Sequence, residues 1–234
     1  MVLAAGFGKR MHPLTLERPK PLIKVAGKTL LDHALDALER SGIEHAIVNT
    51  HYLAQQISDH VKTRQVPRVS ISHEEDHILD SGGGVKQALS LLGEIPFLVL
   101  NADTFWQDAD HSNLDAFRAF WDPSIMDVLL LLSPMKRAVG FDGSGDFYRS
   151  PDGRLRRRGG ADAAPFAYAG AAIFKPDLFH GIAESVFSLN RIFDDCIASG
   201  TLFGLPLDGL WLHVGTPDAI DLAEDALKNI GLPG

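Results

Sequence analysis

Gly6, Gly8, Lys9, Arg10 and Lys20, the last held between Pro19 and Pro21, are the residues of this 234-residue chain whose types and spacing promise chemistry first. The short apolar run from Val2 to Ala5 reads as a buried strand, and the small residues after it open a tight loop whose backbone amides can face a ligand. Successive amides in such a turn make a concave anion site. An added guanidinium and ammonium suit it to a polyphosphate rather than to one carboxylate. Leu3, Ala4, Ala5, Gly6 and Gly8 are therefore expected to line a nucleotide phosphate, with Arg10 and Lys20 as the charge-neutralising catalytic cations.

Known phosphate motifs fit this loop poorly. A dinucleotide-binding G-x-G-x-x-G would need glycine where Met11 stands, and Arg10 occupies the place where a pyrophosphate would rest on a helix start. Gly27-Lys28-Thr29 supplies the end of a P-loop, but Leu22 holds the first glycine position, so Thr29 is read as a helix cap. His73-Glu74-Glu75-Asp76-His77 spells the zinc-protease pattern H-E-x-x-H, which requires a helix to turn both histidines one way. It follows a strand and precedes a glycine-rich loop, so it reads as an acidic surface loop or as the edge of a base pocket. Asn101-Ala102-Asp103 directly follows an apolar strand. A carboxylate there can hold Mg²⁺, which takes one or two carboxylates together with phosphate oxygens and water.

What does fit is Leu3-Ala4-Ala5-Gly6-Phe7-Gly8-Lys9-Arg10-Met11-His12-Pro13-Leu14-Thr15 followed by Pro19-Lys20-Pro21-Leu22, a long ordered run that resembles the sugar-1-phosphate nucleotidyltransferase family. The resemblance implies an enzyme whose partners are a nucleoside triphosphate and a sugar 1-phosphate. It implies that Asp80-Ser81-Gly82-Gly83-Gly84 lines nucleobase and sugar, with Gly83 and Asn101 on the nucleotide and Gly82 on the sugar phosphate. Tyr168-Ala169-Gly170, with Gly170 against the hexose, and Asn190 fall where the family binds the sugar phosphate, and Asp103 matches its metal-binding aspartate. Trp211-Leu212-His213-Val214-Gly215-Thr216-Pro217 resembles the family's W-x-D-V-G-T-P with one departure, His213 in place of a second metal ligand. Imidazole suits Mn²⁺ or Co²⁺ better than Mg²⁺. Three readings stay open: a weakened second ligand, a softer ion, or Mg²⁺ held by Asp103, phosphates and water.

Chain length, the first motif, Ser81-Gly82-Gly83-Gly84 and Phe187-Ser188-Leu189-Asn190 look most like the short members that make UDP-N-acetylmuramic acid in cell-wall recycling. Others make GDP-mannose or GDP-heptose. A catalytically weakened binding or regulatory subunit is the alternative that His213 raises.

The elements that must position these residues follow from periodicity. Helices are expected over 29–40, 53–61, 84–92, 114–121, 189–198 and 217–229, and strands over 2–5, 45–49, 69–72, 97–100 and 128–132. That alternation predicts an α/β fold with a Rossmann-like, mostly parallel sheet flanked by helices, ligands sitting beyond the carboxyl ends of the strands. Short strands over 143–149, 153–157 and 167–174, with turns between, predict a small antiparallel excursion carrying acceptor-binding residues, and strands near 201–205 and 210–214 close the fold. One domain is expected: about 1–133 as the nucleotide half, about 134–234 as the sugar-phosphate half, and no C-terminal β-helix.

Composition narrows the partners. A formal net charge of −8 argues against nucleic acid and lipid headgroups, which select basic surfaces. The one basic cluster, Arg154, Arg156, Arg157 and Arg158, reads as a solvated hairpin turn in preference to a phosphate or oligomer contact. Cys196, the single cysteine, sits among Ile192, Phe193 and Ile197 as a core thiol. With no signal peptide and no apolar run of about 18 residues, the expected site is the cytoplasm, as a monomer or small homo-oligomer. A central strand beginning at Met1 is a residue or two short, as a clipped start would leave it.

Overall fold

Short apolar runs and amphipathic helices alternate through the first hundred residues: β1 (Val2–Leu3), the ribbon β2 (Lys24–Val25) and β3 (Lys28–Thr29), α1 (Leu30–Arg40), β4 (His45–Thr50), α2 (Ala54–Val61), β5 (Arg68–His73), α3 (Asp80–Gln87), α4 (Leu89–Leu92) and β6 (Phe97–Asn101). The computed structural model describes residues 1–230. Helix α1 shows how local sequence sets these elements. Thr29 Oγ1 accepts the Asp32 amide at 3.0 Å, a cap worth about 1 kcal/mol. Leu30, Leu31, Ala34, Leu35 and Leu38 then repeat at helical spacing and are all buried. Strand β1 lies between β4 and β6, parallel to both, with Leu3 opposite Asn49 and Asn101. The loop after β1 is thereby fixed at the carboxyl edge of the sheet.

The second half adds β7 (Thr104–Asp108), α5 (Asn113–Phe120), β8 (Val128–Pro134), β9 (Ala138–Val139), β10 (Phe147–Arg149), β11 (Leu155–Arg157), β12 (Phe166–Phe174), α6 (Leu189–Ser199), β13 (Leu202–Pro206), β14 (Gly209–His213) and α7 (Asp218–Asn229). Among the described residues the main sheet has nine strands. Strand β12 runs antiparallel to both β6 and β8, while β13 is parallel to β8. The antiparallel chain is thus partly the expected excursion, the β10–β11 hairpin, and partly a strand within the sheet. Val128 to Leu132 of β8 are fully buried, each contributing roughly 1.5–3 kcal/mol of hydrophobic stabilisation before chain entropy. One continuous sheet therefore spans both expected halves.

Two elements differ from the periodicity. Asp80 to Gly84 is the first turn of α3 and not a loop before a helix at 84, because tertiary packing overrides the poor helix propensity of three glycines. Strand β7 went unforeseen: it pairs antiparallel with β14, His213 opposite Thr104, in a separate three-stranded sheet with β9. That small sheet sets β14 beside the residues that follow β6.

Candidate active site

The loop after β1 has the open amides that the sequence suggests. Ala4 donates to Asn49 Oδ1 at 2.8 Å, but the amides of Ala5 through Arg10 reach no protein acceptor among the described residues. Gly8 has φ +63°, and a Cβ there would press on Lys20 Cβ and Thr15 Cγ2 at 3.0 Å. Its carbonyl accepts Met11 N at 2.9 Å and Thr15 Oγ1 at 2.8 Å, which turns Lys9 to Met11 into a single 3₁₀ turn. A cavity of about 450 Å³ opens here, lined among others by Leu3, Ala4, Ala5, Gly6, Gly8, Arg10, Lys20, Asn101 and Asp103. Nine expected site residues converge on one hollow of unsatisfied N–H groups and positive charge.

The far wall of this cavity is Glu74, Ile78, Asp80 and Ser81. Glu74 is 1% exposed; one carboxylate oxygen accepts Asn49 Nδ2 at 2.7 Å and the other accepts the Leu79 amide at 2.8 Å. Ala4, Asn49, Glu74 and Leu79 form one chain of hydrogen bonds that locks the phosphate loop to this wall. His73 ends β5 and the next helix, α3, begins only at Asp80, so the two histidines of the H-E-x-x-H match share no helix face. The segment edges the cavity instead.

Gly82 and Gly83, expected at the sugar phosphate and the nucleotide, lie against the chain before α6 instead. Neither lines the cavity: both amides donate to Phe187 O, at 2.8 and 3.0 Å, and a Cβ on Gly83 would fall 2.0 Å from Ser185 O. They are glycine because the chain before α6 lies against them. With Ser81 Oγ accepting the Leu189 amide at 3.0 Å, the stretch is a seam between the two halves. The amides of Gly82 and Gly83 and the Ser81 hydroxyl are engaged in that seam.

Asp103 follows β6, and Lys20 Nζ meets its Oδ2 at 2.7 Å. Burial raises the pKa of this carboxyl, but Lys20, His213 and Arg10 together outweigh burial and hold it below the usual carboxylate value. The site therefore keeps a carboxylate ionised beside two cations. His213 Nδ1 sits 3.2 Å from Gly140 O; a carbonyl only accepts, so Nδ1 carries a proton and Nε2 is the ring nitrogen left for another partner. Its ring lies edge-on to Phe141 and over Gly215, where a Cβ would come within 2.6 Å.

A second cavity of about 250 Å³ adjoins Asp103 and is lined by Asn101, Asp146, Arg157, Tyr168, Asn190 and His213, among others. Asn190 is present but does not cap α6; Ser188 does. Gly170 lies outside this lining. It has φ +80° at the register shift of β12, where a Cβ would meet Thr104 Cγ2 at 2.2 Å, so close packing explains the glycine. Of the basic cluster, Arg154 pairs with Asp152 across the turn as a solvated hairpin would. Arg157 instead faces the cavity.

A family model described as nucleotidyl transferase matches residues 1–141. The chain belongs to the nucleotidyl transferase family. It is 43% identical over 97% of its length to an N-acetylmuramate alpha-1-phosphate uridylyltransferase of Caulobacter vibrioides, covering 96% of that protein. To the protein of the same name from Neisseria meningitidis serogroup B it is 34% identical, over 92% of each chain. Among solved structures, HddC from Yersinia pseudotuberculosis complexed with GMP-PN superposes with a TM-score of 0.78 at 21% identity, over 97% of each chain, which shows the fold.

This nucleotidyl transferase has three site features that sequence reasoning missed. Asn49 and Glu74 looked like an ordinary strand end and a surface acid; a buried carboxylate needs partners, and only the pairing of β4 with β5 brings them together. Arg157 was hidden in a run of arginines whose members diverge once a hairpin alternates their faces. Tyr168, whose buried hydroxyl has no partner among the described residues, stands in the Tyr168-Ala169-Gly170 stretch that the resemblance sets at the sugar phosphate, but its hydroxyl is not singled out there.

Proposed function

We propose that this enzyme joins uridine triphosphate to N-acetylmuramate 1-phosphate, giving the UDP-sugar and pyrophosphate. The observation that carries the reading is the 43% identity to a protein of that activity along 97% of the chain. A phosphate loop with free amides supports it. One non-bridging oxygen of the sugar phosphate attacks the α-phosphorus, that P–O bond forms as the bond to the β-phosphate bridging oxygen breaks, and pyrophosphate departs with the electron pair. The nucleophile is already an anion, so no general base and no covalent enzyme intermediate are needed. The work of the protein is positioning and charge neutralisation. The amides of residues 5–10 receive phosphate oxygens, and Arg10 and Lys20 screen two anions that repel each other. Residues to about 133 serve the nucleotide and the later ones the sugar phosphate.

Mg²⁺ belongs to this reading. Asp103 is a hard, ionised ligand, and His213 has Nε2 uncommitted to Gly140 O; the described residues contain no group of three or more His, Cys, Asp or Glu able to hold a metal. Such a donor set fits an ion that relies on one carboxylate, substrate phosphates and water, with Mn²⁺ or Co²⁺ as substitutes. When bound, the ion neutralises phosphate charge. Among the described residues no helix is long and apolar enough to cross a membrane, and a cytoplasmic role in cell-wall recycling completes the proposal. The test is pyrophosphate release from a matrix of nucleoside triphosphates and sugar 1-phosphates. The expected best pair is UTP with N-acetylmuramate 1-phosphate; GTP with mannose or heptose 1-phosphate as the best pair would replace the substrate assignment, and no turnover with any pair would favour a binding subunit.

A further inference from the structure

We propose that Arg157 determines sugar specificity by reading a carboxylate on the sugar, in the second cavity beside Asp103. The inference rests on the substrate proposed above and goes beyond it in assigning a residue. N-acetylmuramate differs from N-acetylglucosamine by one ether-linked lactyl group, and so by one carboxylate. A pocket that selects it must supply a cation that the anomeric phosphate does not already occupy.

Arg157 is the one arginine of its cluster on the cavity wall. Its neighbours are engaged elsewhere: Arg154 with Asp152 and Gly200 O, Arg156 stacked 3.8 Å over Tyr148, Arg158 on the carbonyls of Gly145 and Ala161. The Arg157 guanidinium is pinned. Nε donates to Asp194 Oδ1 at 2.7 Å, Nη2 donates to Asn190 Oδ1 at 2.9 Å, and the guanidinium carbon lies 4.9 Å from the Phe147 ring centre and 5.9 Å from that of Phe193. Nη1 makes no hydrogen bond among the described residues. A planar donor held on aromatic faces with one nitrogen unspent loses little freedom on taking a carboxylate oxygen.

A second observation points to a polar ligand in the same cavity. The Tyr168 hydroxyl is buried and lacks a partner among the described residues, although it lines the hollow. Asp146 accepts the Tyr168 amide through Oδ2 at 2.9 Å. Its other oxygen suits a hydroxyl or an acetamide N–H and would repel a carboxylate, as would Asp103. Among the charged groups lining this cavity, Arg157 is the only permanent cation, so the anion has one place to go.

The experiment measures kcat/KM with UTP for N-acetylmuramate 1-phosphate, for its lactyl carboxamide, and for N-acetylglucosamine 1-phosphate, using the parent, Arg157→Gln and Arg157→Lys. Thermal unfolding confirms that each variant folds. The expected result is a fall of about 10–100-fold in the preference for the acid over N-acetylglucosamine 1-phosphate in Arg157→Gln, carried mainly by KM, with partial rescue in Arg157→Lys. The carboxamide should lose a similar factor with the parent and nothing further with Arg157→Gln. Equal losses on all three substrates, or an unchanged preference, would overturn the inference while leaving the uridylyltransferase proposal standing. A parent inactive on N-acetylmuramate 1-phosphate but active on another sugar 1-phosphate overturns both, and is recognised from the parent alone.

Discussion

Replacing Lys20 by methionine removes the positive end of the 2.7 Å pair with Asp103 while keeping the bulk of the side chain. The two side chains are 12% and 31% exposed, between the fully buried and the surface case. Breaking a buried pair costs about 3–5 kcal/mol and an exposed one about 0–1 kcal/mol; the exposure of Asp103 puts the expected loss near the lower middle, about 1–2 kcal/mol at pH 7. For a chain of this length that is a fall of roughly 2–8 °C in Tm. The loss carries a pH signature. The folded pKa of Asp103 is depressed, so its contribution is present above the unfolded pKa of about 3.9 and disappears as pH falls through the folded value. Without Lys20, only His213 and Arg10 are left to oppose the burial that raises that pKa. Thermal unfolding of parent and Lys20→Met from pH 7 to pH 3 should therefore show a gap that narrows toward acid, and turnover at pH 7 should drop by about 10² or more. A gap constant across that range would mean that Lys20 acts by packing. Near-normal turnover would remove it from the catalytic assignment.

Other substitutions separate charge from architecture. Arg10→Ala should cost about 10² or more in turnover yet move Tm by no more than about 2 °C, because the side chain is exposed and donates to nothing in the described protein; equal damage to both would mean a structural role. His213→Asp should keep activity within about tenfold and half-saturate at lower Mg²⁺, with the advantage of Mn²⁺ or Co²⁺ shrinking; a collapse in activity with unchanged Mg²⁺ dependence would give the imidazole a task of its own. Gly83→Ala puts a methyl against Ser185 O and should lower Tm by roughly 5–10 °C, an overpacking loss of about 2–3 kcal/mol, while purified enzyme at low temperature keeps substantial turnover. An unchanged Tm would refute the seam. Burial pushes the Cys196 thiol up to about 11, so thiol-modifying reagents at pH 8 should label the native protein no faster than it unfolds.

The first motif was legible because its chemistry is local. Turn, free amides and cations all lie within twenty residues, and the parallel pairing of β1 with β4 and β6 only had to carry them to the sheet edge. Asp103 was legible for the same reason: a carboxylate ending an apolar strand arrives at that edge automatically. The glycines at 82 and 83 misled because glycine answers two needs alike, an approaching ligand or an approaching chain, and the segment before α6 that approaches them is about a hundred residues away in sequence. Gly170 is a third instance, crowded by Thr104 of the unforeseen strand β7. Glu74 and Arg157 stayed hidden because their meaning depends on which face of a paired strand or loop they occupy, and no local period encodes that.

The proposed attack of a sugar phosphate oxygen on the α-phosphorus takes place over the loop of residues 5–10. Its most direct test uses N-acetylmuramate 1-phosphate carrying ¹⁸O in the non-bridging phosphate oxygens, incubated with UTP and Mg²⁺ and followed by mass spectrometry. All of the label should appear in the UDP-sugar and none in the pyrophosphate released, with Asp103→Asn forming the product at least about 10²-fold more slowly. Label in the pyrophosphate would rule out that attack, and formation of the UDP-sugar at the parent rate by Asp103→Asn would rule out the role of Asp103.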